Sequence, residues 1–108
     1  MEYGLKQQEI ECIQKVFYSF PEVEKAILYG SRAKGSFKPT SDIDISLKGT
    51  ELNIGIVNQI SWLLDDLLMP YTFDLSNFHQ INNPALIEHI ERIGKVIYEK
   101  PVDKIIKQ

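Results

Sequence analysis

The spacing of hydrophobic residues along the chain predicts two long amphipathic helices. In residues 5–20 the apolar side chains recur every three or four positions, at Ile10, Ile13, Phe17 and Phe20, and Pro21 follows. A second run with the same period contains Ile56, Val57, Ile60, Leu63, Leu64, Leu67 and Leu68. Because a residue that precedes proline disfavours helical geometry, Pro70 predicts that this second helix ends at or before Met69.

Four shorter segments have the patterns of β-strands, at residues 25–29, 42–47, 71–76 and 95–98. The first and last are short apolar runs, whereas the middle two alternate apolar with polar residues. Between the last two strands, Asn83 and Pro84 predict the start of a third helix, with Asn83 as its N-cap. Gly94 is predicted to end that helix in the left-handed conformation.

The order of these elements predicts a fold of the α+β (mixed α/β) class. Helix, strand, strand, helix, strand, helix and strand follow one another, which favours a small mixed sheet of about four strands with helices packed on one face. No repeat or linker composition interrupts the sequence, so we expect a single domain over residues 1–108.

Composition and charge argue against several classes of function. The 108 residues carry a formal net charge of −3, which disfavours a domain whose main role is to coat nucleic acid, and we expect no direct nucleic-acid binding. The single cysteine, Cys12, cannot form an internal disulfide. No apolar run approaches the ~20 residues of a membrane span, and the first residues lack the pattern of a signal peptide. We therefore expect a cytoplasmic protein without membrane contact.

The two alternating strands predict a cluster of carboxylates. Side chains two residues apart on a strand share a face, so Asp42 and Asp44 project to one side of the sheet. On the next predicted strand, Asp74 projects away from the apolar face. If these strands are neighbours, three carboxylates converge and need a cation among them, and oxygen ligands favour Mg²⁺. Zn²⁺ is disfavoured because its possible ligands show no suitable spacing, namely Cys12 and the two histidines His79 and His89, which we interpret as surface residues.

A glycine–serine pair ends the first predicted strand, and ten residues separate Ser31 from the first of these acids. Gly30 permits a tight turn and a close backbone approach, and a helical turn after it would present free N–H groups beside the Ser31 hydroxyl. Arg32 adds positive charge and is predicted to contact phosphate. The separation of Gly30 from Gly35 is that of a P-loop, but Ser36 occupies the position of the required lysine. The segment therefore suits the binding of a nucleoside triphosphate, but not through the lysine of a P-loop.

The string GSRAKGSFKPTSDIDI resembles the signature of the polymerase-β-like nucleotidyltransferase superfamily, and in particular its minimal branch. Gly30-Ser31 matches its glycine–serine pair, Asp42 and Asp44 its acid pair, and Asp74 its third acid. The resemblance implies a polymerase-β-like fold and a Mg²⁺-dependent transfer of AMP from ATP. In that reaction Asp42 and Asp44 would bridge two Mg²⁺ ions, while Asp74 would complete the site nearer the acceptor hydroxyl and serve as its base.

The same resemblance implies a protein partner. Minimal members are antitoxins of two-gene modules whose toxin is a helical HEPN-type ribonuclease, which is silenced by adenylylation of its tyrosine. We therefore expect such a toxin as acceptor, docking on the tail around Ile105 and Ile106 or on the exposed side of the 51–68 helix. Two alternatives stay open: a non-catalytic binding module that neutralises its partner by occlusion, and a nucleotidyltransferase with a small-molecule or nucleic-acid acceptor.

Overall fold

The computed structural model describes residues 2–101, which form a four-stranded sheet and four helices. The elements in chain order are α1 (Gln7–Tyr18), β1 (Lys25–Tyr29), α2 (Ser31–Lys34), β2 (Ile43–Lys48), α3 (Ile54–Asp65), β3 (Phe73–Asn77), α4 (Pro84–Ile93) and β4 (Lys95–Glu99). A short 3-10 helix, Phe78–Gln80, follows β3. The predicted α+β class is confirmed, and the proposed docking residues Ile105 and Ile106 lie outside the described part of the chain.

The sheet is mixed, with the strand order β3-β2-β1-β4. Strand β1 pairs antiparallel with β2 and with β4, whereas β2 and β3 run parallel. Parallel neighbours need a crossover connection, and α3 supplies it between β2 and β3. The strand that follows Asp42 and the strand that contains Asp74 are therefore direct neighbours, as the carboxylate cluster required.

Helices α1 and α3 cover one face of this sheet. Ile43, Ile45 and Leu47 of β2 are completely buried there, and each such aliphatic side chain contributes about 1.5–3 kcal/mol. The two helices bury six of the positions that their period predicted, namely Ile10, Ile13, Phe17, Val57, Ile60 and Leu64, whereas Leu63 of the same pattern is exposed. None of the helices between residues 2 and 101 combines the length and hydrophobicity needed to span a bilayer.

The ends of α3 show where local chemistry limits the hydrophobic pattern. The helix begins after Asn53, whose side-chain oxygen accepts a hydrogen bond from the Ile56 amide at 3.0 Å. It ends at Asp65, before Pro70 as predicted. Leu68 continues the apolar period but adopts a positive φ of 56° and is 88% exposed. The prediction that Leu68 belongs to the buried face of this helix is wrong, because the chain has already left helical geometry.

Helix α4 lies against the opposite face of the sheet, so the expectation that the helices pack on one face holds for α1 and α3 but not for α4. It begins as predicted, with Pro84 in its first turn and the Asn83 side chain accepting hydrogen bonds from two backbone amides. Successive strand residues point to opposite faces, so Ile27 of β1 points away from the α1 and α3 layer. A Cβ atom at Gly94 would overlap the Ile27 side chain, which shows how closely the end of α4 approaches β1.

The predicted left-handed stop at Gly94 is wrong. Gly94 has φ −57° and ψ 145°, and Lys95 begins β4 immediately. An extended residue leads directly from the helix into the strand, so no left-handed residue is required. Glycine serves here because a Cβ atom would overlap the Ile90 carbonyl oxygen.

Candidate active site

Three neighbouring strands place a row of polar side chains on the sheet face opposite to α1 and α3. Tyr29 of β1 is the register partner of Asp44 on β2, and Asp44 is the register partner of Asp74 on β3. Because adjacent strands lie about 4.8 Å apart, the two carboxylates stand side by side. Asp42 immediately precedes β2 and is exposed. The structure thus brings Asp44 and Asp74 together, with Asp42 at the start of the same strand.

The environment of this row disfavours negative charge on Asp44. Partial burial is the largest cause of its raised pKa, and the charges of Asp74 and Asp42 raise the pKa further. The pKa of the Tyr29 phenol is also raised, first by burial and then by the nearby carboxylates. Bringing a cation to this face would offset the repulsion among the carboxylates.

Gly30 connects the end of β1 to this acidic row. It is the N-cap residue of α2 and has φ 76° and ψ −156°, a region almost confined to glycine. A Cβ atom at this position would overlap Oδ2 of Asp44, so the absence of a side chain lets the backbone contact the carboxylate. Ser31 then begins α2, a single helical turn as predicted, and its side chain is half-buried beside the turn. The turn at Gly30 and the carboxylate of Asp44 are therefore in direct contact.

The structure does not bring the Arg32 side chain into the site. Arg32 is only 1% exposed, and its guanidinium lies 5.3 Å and 5.0 Å from the ring centroids of Phe37 and Tyr71. Its N–H groups donate to backbone carbonyls of Tyr3, Pro39 and Ser41. The predicted phosphate contact is not supported by this position, because the guanidinium donates to the carbonyls that shape the 36–41 loop. The sequence showed that this segment carries a cation, but it did not show in which direction the Arg32 side chain points.

His89 is a residue of the site that sequence reasoning missed. Its Nε2 accepts a hydrogen bond from the Gly30 amide at 3.2 Å, and its ring lies edge-on to Tyr29 with centroids 6.1 Å apart. Fifty-nine residues separate the bonded pair, so no local spacing reveals it. One signal was present: His89 follows Leu86 by three residues and precedes Ile93 by four, which places it on the apolar side of α4.

The acidic row fits a cation that uses few protein ligands. Among residues 2–101, no three histidine, cysteine, aspartate or glutamate side chains are gathered into a complete metal site. Mg²⁺ typically binds through one or two carboxylates and completes its shell with water and substrate phosphates. The side-by-side Asp44 and Asp74 match a donor set of one or two carboxylates.

Comparison with known proteins gives the family. The sequence matches the model of polymerase beta, nucleotidyltransferase, over residues 11–103. The chain belongs to this family. The matched range contains the Gly30 turn and all three acids. No curated protein sequence matches the chain.

Several solved structures with a similar fold come from toxin–antitoxin complexes. A toxin–antitoxin complex with AMP-PNP matches with a TM-score of 0.68 and 20% identity over 94% of this chain and 80% of that chain. The tri-AMPylated HEPN toxin of Shewanella oneidensis in complex with MNT antitoxin matches with a TM-score of 0.67 and 19% identity, covering 89% and 74%. The MntA–HepT complex gives 0.66 and 20%, covering 88% and 74%. At these identities the likeness establishes the polymerase-β-like fold.

Proposed function

We propose that this nucleotidyltransferase transfers AMP from ATP to a tyrosine hydroxyl of a HEPN-type toxin and thereby acts as its antitoxin. The observation that carries the proposal is the contact between the Gly30 turn and Asp44, beside Asp74 on the parallel neighbour. Similar folds occur in a complex with AMP-PNP and in a complex of a tri-AMPylated HEPN toxin with its antitoxin, which supports both the donor and the partner.

On the donor side, the turn binds the triphosphate. The backbone N–H groups that follow Gly30 and the Ser31 hydroxyl donate to phosphate oxygens, and the missing Cβ lets the phosphates approach the acids. Asp42, Asp44 and Asp74 are the proposed ligands of two Mg²⁺ ions, which neutralise phosphate charge and lower the pKa of the acceptor hydroxyl when bound. Arg32 stabilises this segment by donating hydrogen bonds to backbone carbonyls of the 36–41 loop.

On the acceptor side, Asp74 receives the proton. The tyrosine hydroxyl loses its proton to the Asp74 carboxylate, its oxygen forms a bond to the α-phosphorus, and the bond from that phosphorus to the bridging oxygen breaks in line. Pyrophosphate leaves with the electron pair. Asp74 is exposed, so a side chain of a second protein can reach it.

The test is incubation of this protein with the HEPN-type toxin, ATP and Mg²⁺, followed by intact mass spectrometry of the toxin. We expect a mass gain of one or more AMP units, and binding without mass gain when Asp44→Asn is used. Suppression of the toxin without ATP and without mass gain would establish occlusion instead. Pyrophosphate release with an unmodified toxin would point to a small-molecule or nucleic-acid acceptor.

A further inference from the structure

His89 holds a place in the site that the proposed reaction does not use. It is carried by α4, which contributes none of the acids and none of the phosphate-binding turn. Its Nε2 nevertheless accepts the Gly30 amide proton at 3.2 Å, and its ring packs edge-on against Tyr29 at an angle of 79°. Both contacts are made to the two residues that join β1 to the turn.

The contact fixes a peptide group on which two parts of the site depend. The Gly30 amide belongs to the peptide group between Tyr29 and Gly30. Rotation about the backbone bonds of Gly30 would move Ser31 and would also change the contact between Gly30 and Asp44. Glycine is the least restricted residue, so this peptide needs an external partner to select one conformation. An acceptor at Nε2 requires the neutral ring with its proton on Nδ1.

Helix α4 is a rigid platform for this acceptor. The helix start is capped by Asn83, and Ile90, the residue next to His89, is 2% exposed. At the other end Gly94 lies so close to Ile27 that a Cβ atom would overlap it. Because α4 is held on both sides of His89, the backbone of His89 has a fixed position relative to β1 and Gly30.

We propose that His89 is a positioning residue that holds the Gly30–Ser31 turn in its nucleotide-binding conformation. This inference rests on the proposed function, since it assigns the turn to nucleotide phosphates. His89 acts through the Gly30 backbone and makes no direct contact with substrate. The hydrogen-bond acceptor Nε2, rather than the aromatic ring as such, performs this function.

Two variants separate the acceptor from the ring. His89→Phe keeps an aromatic ring against Tyr29 but removes the acceptor, whereas His89→Gln keeps an acceptor oxygen near the position of Nε2 but removes the ring. Calorimetry measures the binding of AMP-PNP in the presence of Mg²⁺ and needs no toxin, so it tests the turn separately from the transfer reaction. We expect His89→Phe to weaken AMP-PNP binding about fivefold to tenfold, which is the effect of one hydrogen bond, and His89→Gln to bind within about twofold of wild type. His79→Phe, at an exposed histidine in the 3-10 helix, is the matched control.

Kinetics with toxin provide a second readout. His89→Phe is expected to raise KM for ATP more than it lowers kcat, and His89→Leu should repeat that result if the phenylalanine variant does not fold. Equal binding by His89→Phe and wild type would overturn the assignment, as would loss in His89→Gln with retention in His89→Phe. Tighter binding by His89→Phe would mean that the ring competes with phosphate, which also overturns it. If wild type binds AMP-PNP but does not modify the toxin, only the acceptor in the proposed function fails. If wild type binds no nucleotide, both proposals fail.

Discussion

The two faces of strand β2 belong to two different regions of the molecule, the hydrophobic core and the acidic row. On one side, Ile43 and Ile45 are completely buried against α1 and α3. On the other, Asp44 remains partly exposed beside Asp74, and its pKa is raised first by partial burial and then by the neighbouring carboxylates. The buried face sets the register of the strand, because a slip of one residue would exchange the two faces. Hydrophobic burial on one side therefore determines where the acids stand on the other.

The sharpest test of this division removes one acid. Asp44→Asn keeps the shape of the side chain but removes a proposed metal ligand, so AMP transfer should fall by more than about 10²-fold. The folded state should persist, because no core residue changes. Intact mass of the toxin measures transfer, and thermal melting measures the fold. Glu11→Gln, at an exposed acid of α1, is the control and should retain full activity. An active Asp44→Asn would contradict the assignment of the polar face.

The second test concerns Arg32, which was predicted to contact phosphate but is buried and donates to backbone carbonyls. Arg32→Leu leaves the backbone carbonyls of Tyr3, Pro39 and Ser41 without the donors that Arg32 supplies. We expect a loss of about 2–4 kcal/mol of stability, and a melting temperature lower by roughly 10–20 °C. At a temperature where the variant is folded, KM for ATP should change little. Lys34→Met, on the exposed side of the same helical turn, should leave the melting temperature unchanged. A stable variant with a greatly raised KM would restore the phosphate role.

Two glycines with positive φ separate backbone strain from contact with the site. Gly30 and Gly35 have φ values of 76° and 86°, but only a Cβ at Gly30 would overlap Asp44, while no described atom lies within 4 Å of a Cβ at Gly35. Gly35→Ala should therefore cost about 1 kcal/mol of stability and leave nucleotide binding intact. Gly30→Ala should in addition weaken AMP-PNP binding by more than about tenfold, because it displaces the turn from the acids. Calorimetry and thermal melting check both variants, and equal binding by the two would disprove the close approach.

The smallest expected effect is a pH dependence of the metal-free protein. The folded-state pKa of Asp44 is raised above its unfolded value, so the folded protein binds this proton more tightly. The corresponding stability is fully present below the unfolded pKa and is lost as pH rises through the folded pKa. Because the group is substantially solvated, the effect should be below about 1 kcal/mol. Thermal melting in EDTA should show the metal-free protein slightly more stable in mild acid, and Asp44→Asn should lack this contribution. An unchanged pH profile in Asp44→Asn would show that another group is responsible.

Local chemistry in the sequence predicted most of the elements. The three- and four-residue periods of α1 and α3, the Asn83–Pro84 start of α4 and the alternation around Asp44 each depend on residues close in the chain. The same applies to the tight turn at Gly30, which glycine permits. The resemblance to the nucleotidyltransferase superfamily rested on that local spacing, and the family match confirmed it.

What the sequence by itself determined was thus the set of elements, the face of the strand on which the acids stand, and the family. Tertiary structure decided which strands are neighbours, and so placed Asp44 beside Asp74. It also turned Arg32 into the interior and brought His89 to Gly30. The physical reason is that helical and strand periods are local properties, whereas the direction of a long side chain and a contact across 59 residues follow from how the layers pack.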